Sequence, residues 1–216
     1  MIKPYLCSVL LGALALPIQA HELWLERTDN GPVKLYLGEP DEGVIERGDT
    51  IANLAPNTRF FIKDSESKAA VSVRDDHLEA AVDAQSDIRA TNDQVWKPWK
   101  NEDGQVVAPL MHARFGRSET NAHMDLELVP VAAGGDRFTL MFKSKPLAEQ
   151  DVMLITPDNK AVELKTDSKG QVQAPIEQPG RYILAGHHEA PAEGQKRNGE
   201  AVNTLFYGTT TSFVAE

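Results

Sequence analysis

Apolar and polar positions alternate over short stretches along most of the chain, and the three-to-four-residue apolar spacing of an amphipathic helix is nearly absent. The stretches that read as strands are 22–26, 33–37, 59–63, 69–74, 124–129, 137–143, 152–156, 161–165, 171–174, 181–188 and 204–214, and one short helix is expected over 76–84. Clusters of Gly, Pro, Asn and Asp separate them. Thr156-Pro157-Asp158-Asn159-Lys160, Asp167-Ser168-Lys169-Gly170 and Gln178-Pro179-Gly180 each carry turn chemistry at hairpin spacing. The expected class is all-β, with two β-sandwich-like domains: 21–133, containing a long polar loop over 83–104, and 134–216, compact and regular. The small-residue run Val131-Ala132-Ala133-Gly134-Gly135-Asp136 suits an interdomain hinge. Trp96 and Trp99 lie in the polar loop, where they either pin it to the core or form a contact platform.

The first 20 residues break the pattern. Lys3 precedes an apolar run from Leu6 to Leu16, and Pro17-Ile18-Gln19-Ala20 forms a small-residue cleavage site, the layout of a secretory signal. The apolar run is shorter than the roughly 20 residues a membrane-spanning helix needs. Cleavage places the mature chain in the periplasm as a soluble protein with His21 at its new N-terminus. The only cysteine, Cys7, goes with the signal, so a metal site in the mature chain must use imidazole, carboxylate, thioether or backbone donors.

With 22 basic and 32 acidic residues, the chain carries a formal charge of -10. Such a surface repels phosphate backbones and excludes nucleic acid as a natural partner, while it mildly concentrates cations. No phosphate-binding glycine loop, nucleophile elbow or HExxH motif is present, so ordinary hydrolase chemistry has no support in the sequence.

Residues 21 to 26, His-Glu-Leu-Trp-Leu-Glu, are followed by Leu37-Gly38-Glu39-Pro40-Asp41-Glu42-Gly43. Further on come Leu126-Glu127-Leu128-Val129-Pro130, Lys145-Pro146-Leu147, Thr166-Asp167-Ser168-Lys169-Gly170, Pro179-Gly180-Arg181-Tyr182 and Ala185-Gly186-His187-His188-Glu189. In this order they resemble an uncharacterised periplasmic family, the NikM-like proteins, named for the extracytoplasmic part of nickel and cobalt uptake systems. The Thr-Asp-x-x-Gly and Pro-Gly-Arg-Tyr pieces also resemble transthyretin-like and immunoglobulin-like sandwiches. The resemblance implies binding and handling of a transition metal, nickel or cobalt, with a membrane metal transporter or another envelope protein as partner; the affinity order of divalent metals for nitrogen donors adds copper. It departs from the uptake systems in having no transmembrane segment after the signal.

A free N-terminal histidine offers its α-amine and its ring Nδ1 to one ion, a chelate that an internal histidine cannot form. Both groups lose their protons to a competing metal near neutral pH, and nitrogen donors of this kind suit copper, nickel, cobalt and zinc. Strand alternation puts His21 with Leu23 and Leu25, and Glu22 with Trp24 and Glu26. A second imidazole is expected from His187 or His188, which point to opposite faces. His187 matches the family's alanine-x-histidine-x-glutamate pattern with Glu189 on its own face. His112 and His123, flanked by Met111 and Met124, form a weaker set with donors attractive to copper. Glu39, Asp41 and Glu42 read as a turn that could also supply oxygen ligands or orient a histidine. Two other functions use the same residues differently: a copper-dependent oxidase acting at a two-histidine site, and a metal-free envelope interaction module contacting its partner through Trp96 and Trp99.

Overall fold

Leu23 and Leu25 alternate with Trp24 and Glu26, and Val33, Leu35 and Leu37 alternate with Lys34 and Tyr36, so two neighbouring segments each present an apolar face at strand spacing. They pair as the first antiparallel hairpin of the fold. The computed structural model describes residues 21–63, 69–82, 86–197 and 199–216; the export signal expected over 1–20 lies outside the described residues. Half of the chain is strand and 4% is helical, which makes the protein all-β. Among the described residues, no helix is long and apolar enough to cross a membrane.

In chain order the strands are β1 (Glu22–Glu26), β2 (Val33–Glu39), β3 (Val44–Ile45), β4 (Arg59–Phe61), β5 (Val71–Val73), β6 (Leu78–Ala80) and β7 (Ile88–Asn92). They continue as β8 (Trp99–Lys100), β9 (Val106–Phe115), β10 (Leu126–Pro130), β11 (Arg137–Phe142), β12 (Lys145–Pro146), β13 (Asp151–Ile155), β14 (Ala161–Lys165) and β15 (Gln171–Gln173). The last are β16 (Gly180–Pro191), β17 (Lys196–Arg197), β18 (Glu200–Ala201) and β19 (Thr204–Ala215). The largest sheet runs β14-β13-β16-β19-β9-β7-β4, with β8 also paired to β9, and a smaller sheet packs on each of its faces.

Alternation along β19 organises these layers. Its odd positions Leu205, Tyr207 and Phe213 meet Leu126, Leu128, Phe138 and Leu140 of β10 and β11. Phe206 on the opposite face meets Leu23, Leu25, Leu35 and Leu37 of β1 and β2. Leu23, Leu25 and Leu35 are fully buried, and each such burial stabilises the fold by about 1.5–3 kcal/mol. The free edge of β1 is covered rather than solvated: Thr210 Oγ1 donates to the Leu23 carbonyl at 2.7 Å, and Ser212 Oγ donates to that of Leu25. Thr211 Oγ1 does the same on the other face, donating to the Leu128 carbonyl at 2.8 Å.

Three sequence expectations are corrected by this arrangement. The helix expected over 76–84 is instead a turn and strand β6, because Leu78 and Ala80 bury alternately and pair with both β2 and β5. Positions 83–85 lie outside the described residues. The run 131–136 is the turn of the β10–β11 hairpin, closed by Val131 N–H donating to Arg137 O at 2.8 Å, and is no hinge. The boundary between 133 and 134 thus falls inside one hairpin, and strands from both expected domains share the large sheet. The stretch 83–104 is also no plain loop, since it contains β7 and β8, and Trp96 and Trp99 pack half-buried against the core, Trp99 edge-on to Phe206.

Two buried arginines cross-link the layers. Arg89 of β7 and Arg114 of β9 are register partners, and like charges directly opposite repel. Glu127 of β10 resolves this: its Oε1 accepts from Arg89 Nε at 2.7 Å and from Arg114 Nη1 at 2.8 Å, with all three side chains fully buried. Its Oε2 accepts the His123 and Met124 backbone N–H groups. Asp87 and Glu119 complete the set by pairing with Arg114 and Arg89 respectively. Elsewhere, buried Tyr182 donates its hydroxyl to the Gln178 carbonyl at 2.9 Å, fixing the turn before β16. Tyr182→Phe is expected to lower stability by about 1 kcal/mol, read as a shift in urea midpoint at unchanged slope.

Candidate functional site

His21 stands immediately before β1, and its ring lies between two carboxylates. Nε2 is 2.8 Å from Glu46 Oε1, and Nδ1 is 3.2 Å from Glu39 Oε1. Glu39 ends β2 and Glu46 follows β3, on either side of the turn that joins them. Gly38 makes that turn possible: its φ is +154°, and a Cβ there would lie 2.2 Å from the Val44 carbonyl oxygen. The strands therefore close tightly, Glu42 N–H donates to Glu39 O at 3.1 Å, and Glu39 and Glu46 reach the two nitrogens of one imidazole. The sequence reading of Glu39, Asp41 and Glu42 as a turn agrees with this geometry, and Glu39 also sits beside a histidine.

Alternation sends the next side chain the other way. Glu22 is 6% exposed and holds His187 Nε2 at 3.1 Å through Oε1, while its buried Oε2 has no hydrogen-bond partner among the described residues. Burial pushes the His187 ring down, and the Glu22 carboxylate more than offsets it, so the pKa is raised. Glu22 and His187 line a cleft of about 480 Å³ whose other polar groups are Asp41, Asp151 and Glu163. The expectation that His21 itself meets His187 is thus replaced: the residue of β1 that meets His187 is Glu22.

The remaining candidates are placed apart from these two positions. His188 points to the other face of β16 and packs on the Phe142 ring at 4.5 Å, with burial lowering its pKa against the opposing charge of Glu189. Glu189 is exposed. His112 and His123 do line one pocket of about 250 Å³, together with Met111 and Met124. His112 is buried, and that burial lowers its pKa to about 4 against the opposing influence of Asp125, Glu127 and the Leu126 backbone. Among the described residues, neither its Nδ1 nor Oγ1 of its register neighbour Thr209 has a hydrogen-bond partner. Among the described residues, no three His, Asp or Glu side chains converge on one ion position. His77 bridges Asp76 and Glu79 and packs against Tyr36, as a structural residue would.

Two features escaped the sequence. The Glu22–His187 pair joins residues far apart in the chain, and only the register of β1 over β16 brings them together. The burial of Met111 beside the same position has no local signal either. No family model and no curated protein matches the chain.

Proposed function

We propose that this chain is a periplasmic transition-metal binding and handling protein, in which signal removal frees the His21 amine to chelate nickel, cobalt or copper together with ring Nδ1. The observation that supports this reading is the carboxylate on each side of the His21 ring. Metal-ligating histidines usually hand their second N–H to a carboxylate, which fixes the ring and raises its basicity. Glu46, at 2.8 Å from Nε2, stands in that role. Glu39 faces Nδ1 at 3.2 Å, so its oxygen is on the side where the chelated ion would sit and can serve as a third donor. Amine, imidazole and carboxylate form a borderline set that suits Cu(II), Ni(II) and Co(II) and disfavours hard cations. A carrier of this kind would pass its ion to a membrane metal transporter or another envelope protein.

Titration of protein beginning at His21 with each of the three ions tests the assignment. His21→Ala is expected to abolish tight binding. Glu39→Gln and Glu46→Gln are each expected to weaken it by roughly 10-fold to 100-fold. Equal affinity for His21→Ala and the parent protein would remove the basis of the reading.

A further inference from the structure

The large sheet carries a row of three residues whose register is fixed by its ladders: His187 on β16, Gly208 on β19 and Met111 on β9. Residues opposite one another on adjacent strands project to the same face, so the imidazole and the thioether flank a position where the middle strand has no side chain. The emptiness is used. A Cβ placed on Gly208 would lie 2.6 Å from Met111 Sδ and 3.4 Å from His187 Cδ2, the ring carbon bonded to Nε2. Gly208 is therefore the gap through which the sulfur approaches the nitrogen-bearing edge of the imidazole.

The other surroundings hold that edge in place. Phe206 stacks on the His187 ring with centroids 5.2 Å apart. Glu22 sits on Nε2, and its buried Oε2 has no hydrogen-bond partner among the described residues, an unfavourable arrangement that a cation or donor would relieve. Asp41, Asp151 and Glu163 line the cleft leading to the pair, and no lysine or arginine lines it. Apart from the His187 imidazole itself, the side chains that line the cleft are negative or neutral.

We infer that the notch over Gly208 is a second metal site, taking copper through His187 Nε2, Met111 Sδ and a Glu22 carboxylate oxygen. A thioether selects Cu(I), an imidazole serves both copper oxidation states, and the carboxylate adds affinity for Cu(II). The site goes beyond the His21 chelate: it uses no atom of His21, and side chains 21 and 22 leave β1 on opposite faces.

The two are separated by titrating full-length mature protein with Cu(I), against a chromophoric Cu(I) chelator, and with Ni(II). Met111→Leu conserves core volume and is expected to fold normally. It should weaken Cu(I) binding by roughly 10-fold to 100-fold or more while Ni(II) binding is unchanged. Gly208→Ala fills the notch without removing a ligand and should have the same effect. His21→Ala should do the reverse, losing Ni(II) and keeping Cu(I). Copper X-ray absorption of the parent protein should show a sulfur scatterer that is missing in Met111→Leu. Unchanged Cu(I) affinity in both Met111→Leu and His187→Ala, or a sulfur-free copper spectrum in the parent, would overturn the notch site and leave the His21 reading standing. Retention of Ni(II) by His21→Ala would overturn the latter alone.

Discussion

Glu127→Ala is expected to lower folding stability by about 3–5 kcal/mol, a large share of the roughly 5–15 kcal/mol by which a domain is ordinarily stable. The reason lies in what the substitution leaves behind. Arg89 and Arg114 face one another across two hydrogen-bonded strands and are both fully buried, and Glu127 Oε1 is the acceptor they share. Without it, two guanidinium groups repel at close range inside the protein, and the His123 and Met124 N–H groups lose their acceptor as well. Glu127→Gln keeps the shape and part of the hydrogen bonding but not the charge, so it should fall between alanine and the parent. Guanidinium unfolding midpoints order the variants. A Glu127→Ala protein as stable as the parent would mean that the network does not hold the layers together.

The second large effect is acid sensitivity above the range in which carboxylates titrate. Burial holds the His112 pKa at about 4 in the folded protein, whereas an unfolded histidine titrates near 6.5. Between these values the unfolded chain binds the extra proton and the folded chain does not, so stability falls as pH falls. The loss begins near pH 6.5, is complete below about 4, and amounts to about 3 kcal/mol. The groups facing the ring are Asp125, Glu127 and the Leu126 backbone, all of which favour the charged form but do not outweigh burial. Asp87 acts in a lower window: burial would raise its carboxyl, but Arg114, Ser118 and the Glu119 N–H outweigh it and hold it below the usual range. Its contribution is present above about pH 4 and is lost only as pH falls further. Urea unfolding of metal-free protein from pH 7.5 to 4.5 should show the slope, and His112→Gln should flatten it. A parent protein equally stable across that range would contradict the buried neutral histidine.

Strands with one buried face and clear turns were legible from the chain. Residues 22–26 and 161–165 coincide with β1 and β14, because alternation and turn chemistry agree at both ends of each. Strand β9 was hidden for a physical reason: it is covered on both faces, so its residues do not alternate, and it contains Pro109. That proline is tolerated because it falls between the stretch of β9 paired with β7 and the stretch paired with β8. Strand β7 was hidden by its content, since Arg89 and Asn92 look solvated in sequence and are buried in the fold. The 76–84 segment carried capping residues that suit a helix, but pairing of Leu78 and Ala80 with two neighbouring strands decided the outcome. Of the site, His21 and the carboxylate turn at Glu39 could be read locally. The Glu22–His187 contact and the approach of Met111 through Gly208 depend on register between strands distant in sequence, for which a single chain holds no local signal.

The His21 amine is the donor on which the proposed chelate most depends. Its most direct test compares protein starting at His21 with protein carrying one additional residue, Ala20, both titrated calorimetrically with Ni(II) and Cu(II). The extension leaves every side chain in place and converts the amine to an amide, so it is expected to weaken Ni(II) binding by more than the roughly 10-fold to 100-fold that loss of an outer-shell partner costs. Equal Ni(II) affinity of the two forms would contradict the chelating terminus.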